Sequence, residues 1–252
     1  MLEMLNQEND QKVVSYDKLQ FIIGTLAFAI PLVMVFGSKY LTGCPETLDS
    51  ISAYYHTDMR NWFVGILCCV AFFLFAYNGY ERRDALAGTI AAIGALMVAF
   101  FPTGICDNIY ENCQLNSFNL SELDAGKCAN VCGTEVYTNS TVHFLGAAIF
   151  FGMLIYFSLV LFVKSDTPKS EWDKTKWMHY WTHKICGSFM LIAVLIIPLN
   201  AFVLNDMFEG TNYILDIEWL ALWAFGISWF TKALRERKKR KQVVEFDGRG
   251  LA

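Results

Sequence analysis

Charge is scarce in this chain. Asp, Glu, Lys and Arg make up 17% of its 252 residues, against about 25% in a typical soluble protein. Whole stretches of some twenty residues carry almost none. So few charges deep in apolar runs argue against an ion-coupled transporter or a charged pore, while transport of an apolar solute stays open. Catalytic signatures are missing too. There is no G-x-x-x-x-G-K-S/T, no G-x-S-x-G and no H-E-x-x-H, so a P-loop nucleotide site, a nucleophile elbow and a zincin helix are excluded. Internal repeats and low-complexity tracts are absent, and nothing points to a nucleic-acid partner. Residues 1–18 are polar and mixed in charge. The first apolar run is too long for a signal-peptide core and has no small-residue cleavage site, so it reads as an uncleaved span.

What is present is grease. Hydrophobic residues make up 55%, with 21 Phe, 11 Tyr and 7 Trp. A soluble fold of this size cannot hide that much apolar surface, but a bilayer can. A hydrocarbon core of ~30 Å takes roughly 20 apolar helical residues to cross. Six segments meet that requirement, at about 19–37, 62–80, 85–106, 142–163, 185–204 and 214–234. The last is the weakest, with Asp216 and Glu218 in its first turns. Continuous runs favour helices over the alternating ~10-residue strands of a barrel, and helices satisfy their own backbone in lipid. The expectation is an all-α polytopic bundle spanning 19–234.

Lys and Arg orient it. With the N-terminus inside, the segments 1–18, 81–84, 164–184 and 235–252, with the inner end of the last span, hold 17 of the 20 basic residues. The outside keeps Lys39, Arg60 and Lys127. The positive-inside rule therefore gives both ends inside, in a plasma membrane, most simply a bacterial inner membrane. The basic tail 235–252, with its run Arg235-Glu236-Arg237-Lys238-Lys239-Arg240-Lys241, then faces anionic lipid headgroups, each charge contributing ~1 kcal/mol near the surface, or serves simply as a stop-transfer anchor. Tyr77–Asp84 makes a tight inner turn between spans 2 and 3. Ala87, Ala91, Ala95 and Ala99, with Gly88 and Gly94, give span 3 a small-residue face, and Ala148 and Gly152 give one to span 4; such faces let helices approach closely in lipid. Pro31, Pro102 and Pro198 are candidate kinks.

The outer loop 107–141 is rich in cysteine. Cys106, Cys113, Cys128 and Cys132 cluster there, and in an oxidising compartment four such residues predict two disulfides, with three possible pairings. Cys44 lies on the same side and leaves an odd number. Zinc is the lesser alternative, because Cys128-x-x-x-Cys132 lacks the spacing and histidine partners of common zinc modules. Cys68, Cys69 and Cys186 fall within spans as apolar filler. Two glycosylation sequons, Asn119-Leu120-Ser121 and Asn139-Ser140-Thr141, also lie outside.

The histidines divide into two pairs. His56 and His143 lie towards the outer surface, with Ser52, Asp58 and Glu218 at neighbouring helix ends. Ionisable groups at membrane depth usually face a partner or a cavity, so Ser52, His56, Asp58, His143 and Glu218 form the candidate polar site, set in an outward-facing cavity. The plain alternative is interfacial decoration at wet helix ends. His179 and His183 lie towards the inside, in the charged and partly helical inner loop 164–184, among Trp172, Trp177 and Trp181, which fit an interfacial aromatic belt.

Ser50-Ile51-Ser52-Ala53-Tyr54-Tyr55, Phe63-Val64-Gly65 and Tyr77-Asn78-Gly79-Tyr80-Glu81-Arg82-Arg83-Asp84, followed by Phe101-Pro102-Thr103, carry a resemblance. The chain resembles a family of uncharacterised bacterial multi-pass membrane proteins, a likeness that extends through span 4 and part of span 5. It implies the fold and no activity. Ser52 with His56 and His179 with His183 also match the Ser-x-x-x-His and His-x-x-x-His spacings of the alkaline ceramidase and progestin/adiponectin receptor superfamily. That resemblance implies zinc, but those proteins have seven spans, and here the two pairs fall on opposite faces. The expected function is non-enzymatic: a sensor, an accessory subunit or a small-solute carrier, with no required cofactor. The alternative is a metal-dependent lipid hydrolase using the outer histidines and carboxylates, in which zinc activates water.

Overall fold

The structure, a computed structural model, describes residues 16–42, 47–77, 79, 81–103, 134–203, 207–208 and 211–249. Among them it contains helices and no strands. Six α-helices follow in order: α1 (Tyr16–Gly37), α2 (Arg60–Phe75), α3 (Arg82–Phe100), α4 (Thr134–Tyr156), α5 (Lys174–Phe202) and α6 (Tyr213–Arg249). α3 packs closely on α2 and α4, α5 packs on α6, and α1 packs more on α6 than on α2, which closes the bundle. Phe21 meets Phe230, Phe28 meets Trp223 and Phe36 meets Trp219, so α1 and α6 run antiparallel. The start of α1 and the basic run of α6 therefore share one end of the bundle, the basic end. The opposite, loop end carries the segments before α2, after α3 and before α6.

Five helices are long and apolar enough to cross a bilayer. The bundle's outer surface carries large apolar side chains: Phe72, Phe75, Leu86, Phe144, Ile185 and Leu195 are all more than half exposed. A water-soluble bundle does not carry large side chains around its whole circumference. The chain is a multi-pass integral membrane protein.

Several boundaries differ from those expected. The second span, read as 62–80, is a helix of only 16 residues, about 24 Å long at 1.5 Å per residue, short of a ~30 Å core. The missing length is supplied at the loop end by the irregular segment 47–59. The third ends at Phe100 rather than 106, because Phe101 is extended ahead of Pro102, the conformation that a following proline favours; Pro102 terminates the helix rather than kinking it. The fifth begins eleven residues early. Asp173 caps it by accepting a hydrogen bond from the Lys176 amide at 2.8 Å, so the inner loop stops at 173 and His179 and His183 lie on the helix. The sixth continues through the basic run to Arg249.

The turn between α2 and α3 is as tight as expected, with Gly79 at φ +58°, in the left-handed region that glycine enters without steric cost. Span 3 uses its small face against α2 and α4, but its partner on α4 is Gly146. A Cβ on Gly94 would lie 2.7 Å from the Phe150 amide nitrogen and 2.9 Å from the Gly146 carbonyl oxygen. Ala148 is exposed, and a Cβ on Gly152 would meet nothing within 4 Å.

Candidate functional site

The segment 47–59 sits where a backbone can least tolerate unsatisfied groups. Non-helical chain at membrane depth survives only when protein buries and bonds it. Leu48, Ile51, Tyr54, Tyr55 and Met59 are buried with Ile30 and Met34 of α1, Phe63 of α2, Val98 of α3 and Leu215 and Leu222 of α6. Its amides find local partners. The Ala53 amide donates to Ser50 Oγ at 3.1 Å and the Met59 amide to Thr57 Oγ1 at 3.1 Å. The Leu215 amide of α6 donates to the Asp49 carbonyl at 2.8 Å. Arg60 donates to the Tyr55 hydroxyl at 2.8 Å and lies over the same ring.

The five candidate residues take their places in this construction. Glu218, on the second turn of α6, accepts a hydrogen bond from the Ile51 amide at 2.5 Å. His56 ends a short 3-10 turn, Ser52–His56, and its Nε2 donates to the Thr103 carbonyl at 2.8 Å. His143, buried on α4, donates from Nδ1 to the Phe101 carbonyl at 2.7 Å. A carbonyl only accepts, so each bonded ring nitrogen carries the proton, and the two tautomers follow. The histidines thus straddle 101–103. Ser52 is buried, its hydroxyl 3.4 Å from that of Ser50. Asp58 is half-buried and, among the described residues, bonds to none of the other four.

No family model, curated protein or solved structure matches this chain. The site must be read from its own geometry. Two histidines and a carboxylate are at the loop end as expected, but the carboxylate lies on the Ile51 side of the segment and the histidines on the Thr103 side. Among the described residues no three His, Cys, Asp or Glu side chains are grouped to hold a metal ion. Cys106, Cys113, Cys128, Cys132 and Cys44, with Asn119 and most of 107–141, lie outside the described residues. Cys68, Cys69 and Cys186 are free.

A second polar group lies in the basic half of the bundle. Ser158, in a π turn (Phe157–Leu161) that ends α4, donates to Ser228 Oγ of α6 at 2.9 Å, and His183 Nδ1 lies 2.9 Å from the same oxygen. All three are fully buried, so one hydrogen-bonded chain ties α4, α5 and α6. His183 Nε2 and Trp229 Nε1 have no partner among the described residues. Trp229 centres an aromatic cluster, with Tyr77, Phe162, Phe157 and Phe225 at 5.1 to 5.5 Å.

Beside this group a cavity of about 610 Å³ opens at the basic end, lined by Tyr77, Glu81, Asp84, Phe162, Lys164, Lys176, Lys232 and Arg235 among others. None of the five loop-end residues lines it. Lys164 pairs with Glu81 at 2.9 Å; the shared hydrogen bond lowers the Glu81 pKa and raises that of Lys164. Lys232 pairs with Glu236 at 3.3 Å. Sequence reading found His183 but missed Ser158 and Ser228, since a lone serine in a span carries no signal. Lys232 was the available clue, a charge set inside the last apolar run.

Proposed function

We propose that this protein is non-enzymatic, a sensor or an accessory subunit within a membrane assembly. One observation supports this most: at the loop end the ionisable groups that a catalyst would need are engaged with the backbone. Glu218 holds Ile51, His56 holds Thr103 and His143 holds Phe101. They act as clamps that let a short α2 and an irregular segment complete the bundle. A carrier is the less favoured non-enzymatic form, because a solute leaving through the loop end would have to displace 47–59.

The basic end is read as cytoplasmic from the distribution of Lys and Arg, in a bacterial inner membrane, with 107–141 and its two disulfides in the periplasm and the tail against anionic lipid. Impermeant maleimide applied to intact cells after reduction should label the loop cysteines; labelling only after lysis would reverse the topology.

One feature favours the hydrolase as second reading. Each loop-end imidazole is anchored through a ring nitrogen to a carbonyl, as metal-ligating histidines commonly are. Such a site would need a third ligand from outside the described residues. Both readings meet in one experiment on the reconstituted full-length chain. No hydrolysis of phospholipid or ceramide, and metal below about a tenth of an equivalent, is expected for a protein without a zinc centre. Turnover abolished by His143→Ala, with the fold intact, would overturn the non-enzymatic reading.

A further inference from the structure

We propose that the basic-end cavity is a binding site for a phosphate group, the shared chemistry of an anionic lipid headgroup and of free phosphate. It stands whether or not the protein turns over a substrate. Four cations reach the cavity from three parts of the chain: Lys164 after α4, Lys176 on α5, and Lys232 and Arg235 on α6. Two are neutralised, Lys164 by Glu81 and Lys232 by Glu236. Lys176 and Arg235 have no ion pair among the described residues, and both are half-buried. Two further carboxylates line the cavity. Asp84 is buried against the Gly79 turn, and Asp166 is exposed at the rim. A guanidinium fork beside an ammonium is the donor set that phosphate oxygens accept most strongly.

The cavity's build fits a ligand larger than an ion. Its volume falls in the ~300–1,000 Å³ range of small-molecule sites, and Tyr77, Leu161 and Phe162 add apolar surface beside the cations. Its rim is pre-organised: Trp172 Nε1 donates to the Thr167 carbonyl at 2.9 Å, and the Thr167 amide to Ser165 Oγ at 3.2 Å. Trp172, Trp177 and Tyr180 pack together beside it, with the Lys176 ammonium 5.3 Å from the Trp172 ring centre. Belts of such aromatics sit at the level of lipid headgroups, which places the two unpaired cations where a phosphate from the adjoining leaflet can enter.

Native mass spectrometry of the full-length chain, released from detergent with dioctanoyl phosphatidic acid or dioctanoyl phosphatidylcholine, tests the site. One phosphatidic acid should be retained saturably, and phosphatidylcholine more weakly. K176A/R235A should weaken retention by about tenfold or more, the loss expected when two charge-assisted contacts are removed. K176R should retain binding, and alanine at Lys239, Arg240 and Lys241 should leave the single site in place. Millimolar inorganic phosphate as competitor separates the sources: displacement marks a site that reads phosphate alone, and resistance one that also reads the lipid glycerol. An unchanged unfolding midpoint for K176A/R235A shows that the fold is intact. Equal retention of the two lipids, or loss in the tail variant but not in K176A/R235A, would overturn the proposal.

Discussion

At the loop end, Glu218, His56 and His143 each hold a backbone group of another segment. At the basic end, among the described residues, His183 and Trp229 keep a buried ring nitrogen without a partner, and Lys176 and Arg235, beside a cavity, have no ion pair. Both ends bury polarity in a membrane, yet they use it differently. The loop end must satisfy an irregular backbone, and its side chains are consumed in doing so. The basic end has its own irregular stretch, the π turn 157–161, whose Leu159 carbonyl accepts a hydrogen bond from Lys184 at 3.0 Å, but the Lys176 and Arg235 side chains hold no backbone group among the described residues. An ionisable residue in a span is therefore not by itself a sign of chemistry; what matters is whether the adjacent backbone already needs it.

Removing the acceptor at the loop end should produce the largest effect. Glu218→Ala strands the buried Ile51 amide and should cost roughly 2 kcal/mol, read as a shift in SDS-induced unfolding in mixed micelles. Glu218→Gln retains an acceptor oxygen and should lose less than half of that. Equal losses would show that charge, rather than the clamp, is what the site needs.

At the basic end, Ser228→Ala breaks both bonds of the Ser158–Ser228–His183 chain. Side-chain hydrogen bonds between membrane helices average only ~0.6 kcal/mol, so the same titration should show a loss of about 1 kcal/mol. A loss exceeding that of Glu218→Ala would reverse the comparison.

The smallest effect is expected from the Glu81–Lys164 pair. Both side chains are substantially exposed, at 53% and 40%, where water and salt screen the attraction. Lys164→Ala should leave the unfolding midpoint unchanged within error at 0.15 M salt, which is roughly physiological ionic strength.

Much of this was legible in the sequence, and the limits are instructive. Apolar runs located the six helices because lipid imposes a length and a hydropathy on a span, although α2 falls short of that length. The Tyr77–Asp84 turn was readable because its glycine and charges have local causes. The convergence of Ser52, His56, His143 and Glu218 on one end followed from their places at helix ends. Their bonds did not, because Ile51, Phe101 and Thr103 take part through backbone atoms common to every residue. Helix within 164–184 was expected, but its start and its continuity with span 5 were not, because its amphipathic, aromatic-rich first turns resemble a charged loop until Asp173 is recognised as a cap. Gly146 was overlooked because which small residue faces α3 depends on helix rotation.

Amide hydrogen exchange of residues 48–59 in nanodiscs is the most direct test of the loop-end clamp. The account predicts strong protection of the Ile51 amide in the native chain and its loss in Glu218→Ala, with α2 still protected. Unprotected exchange of Ile51 in the native chain, or protection indifferent to Glu218, would contradict it.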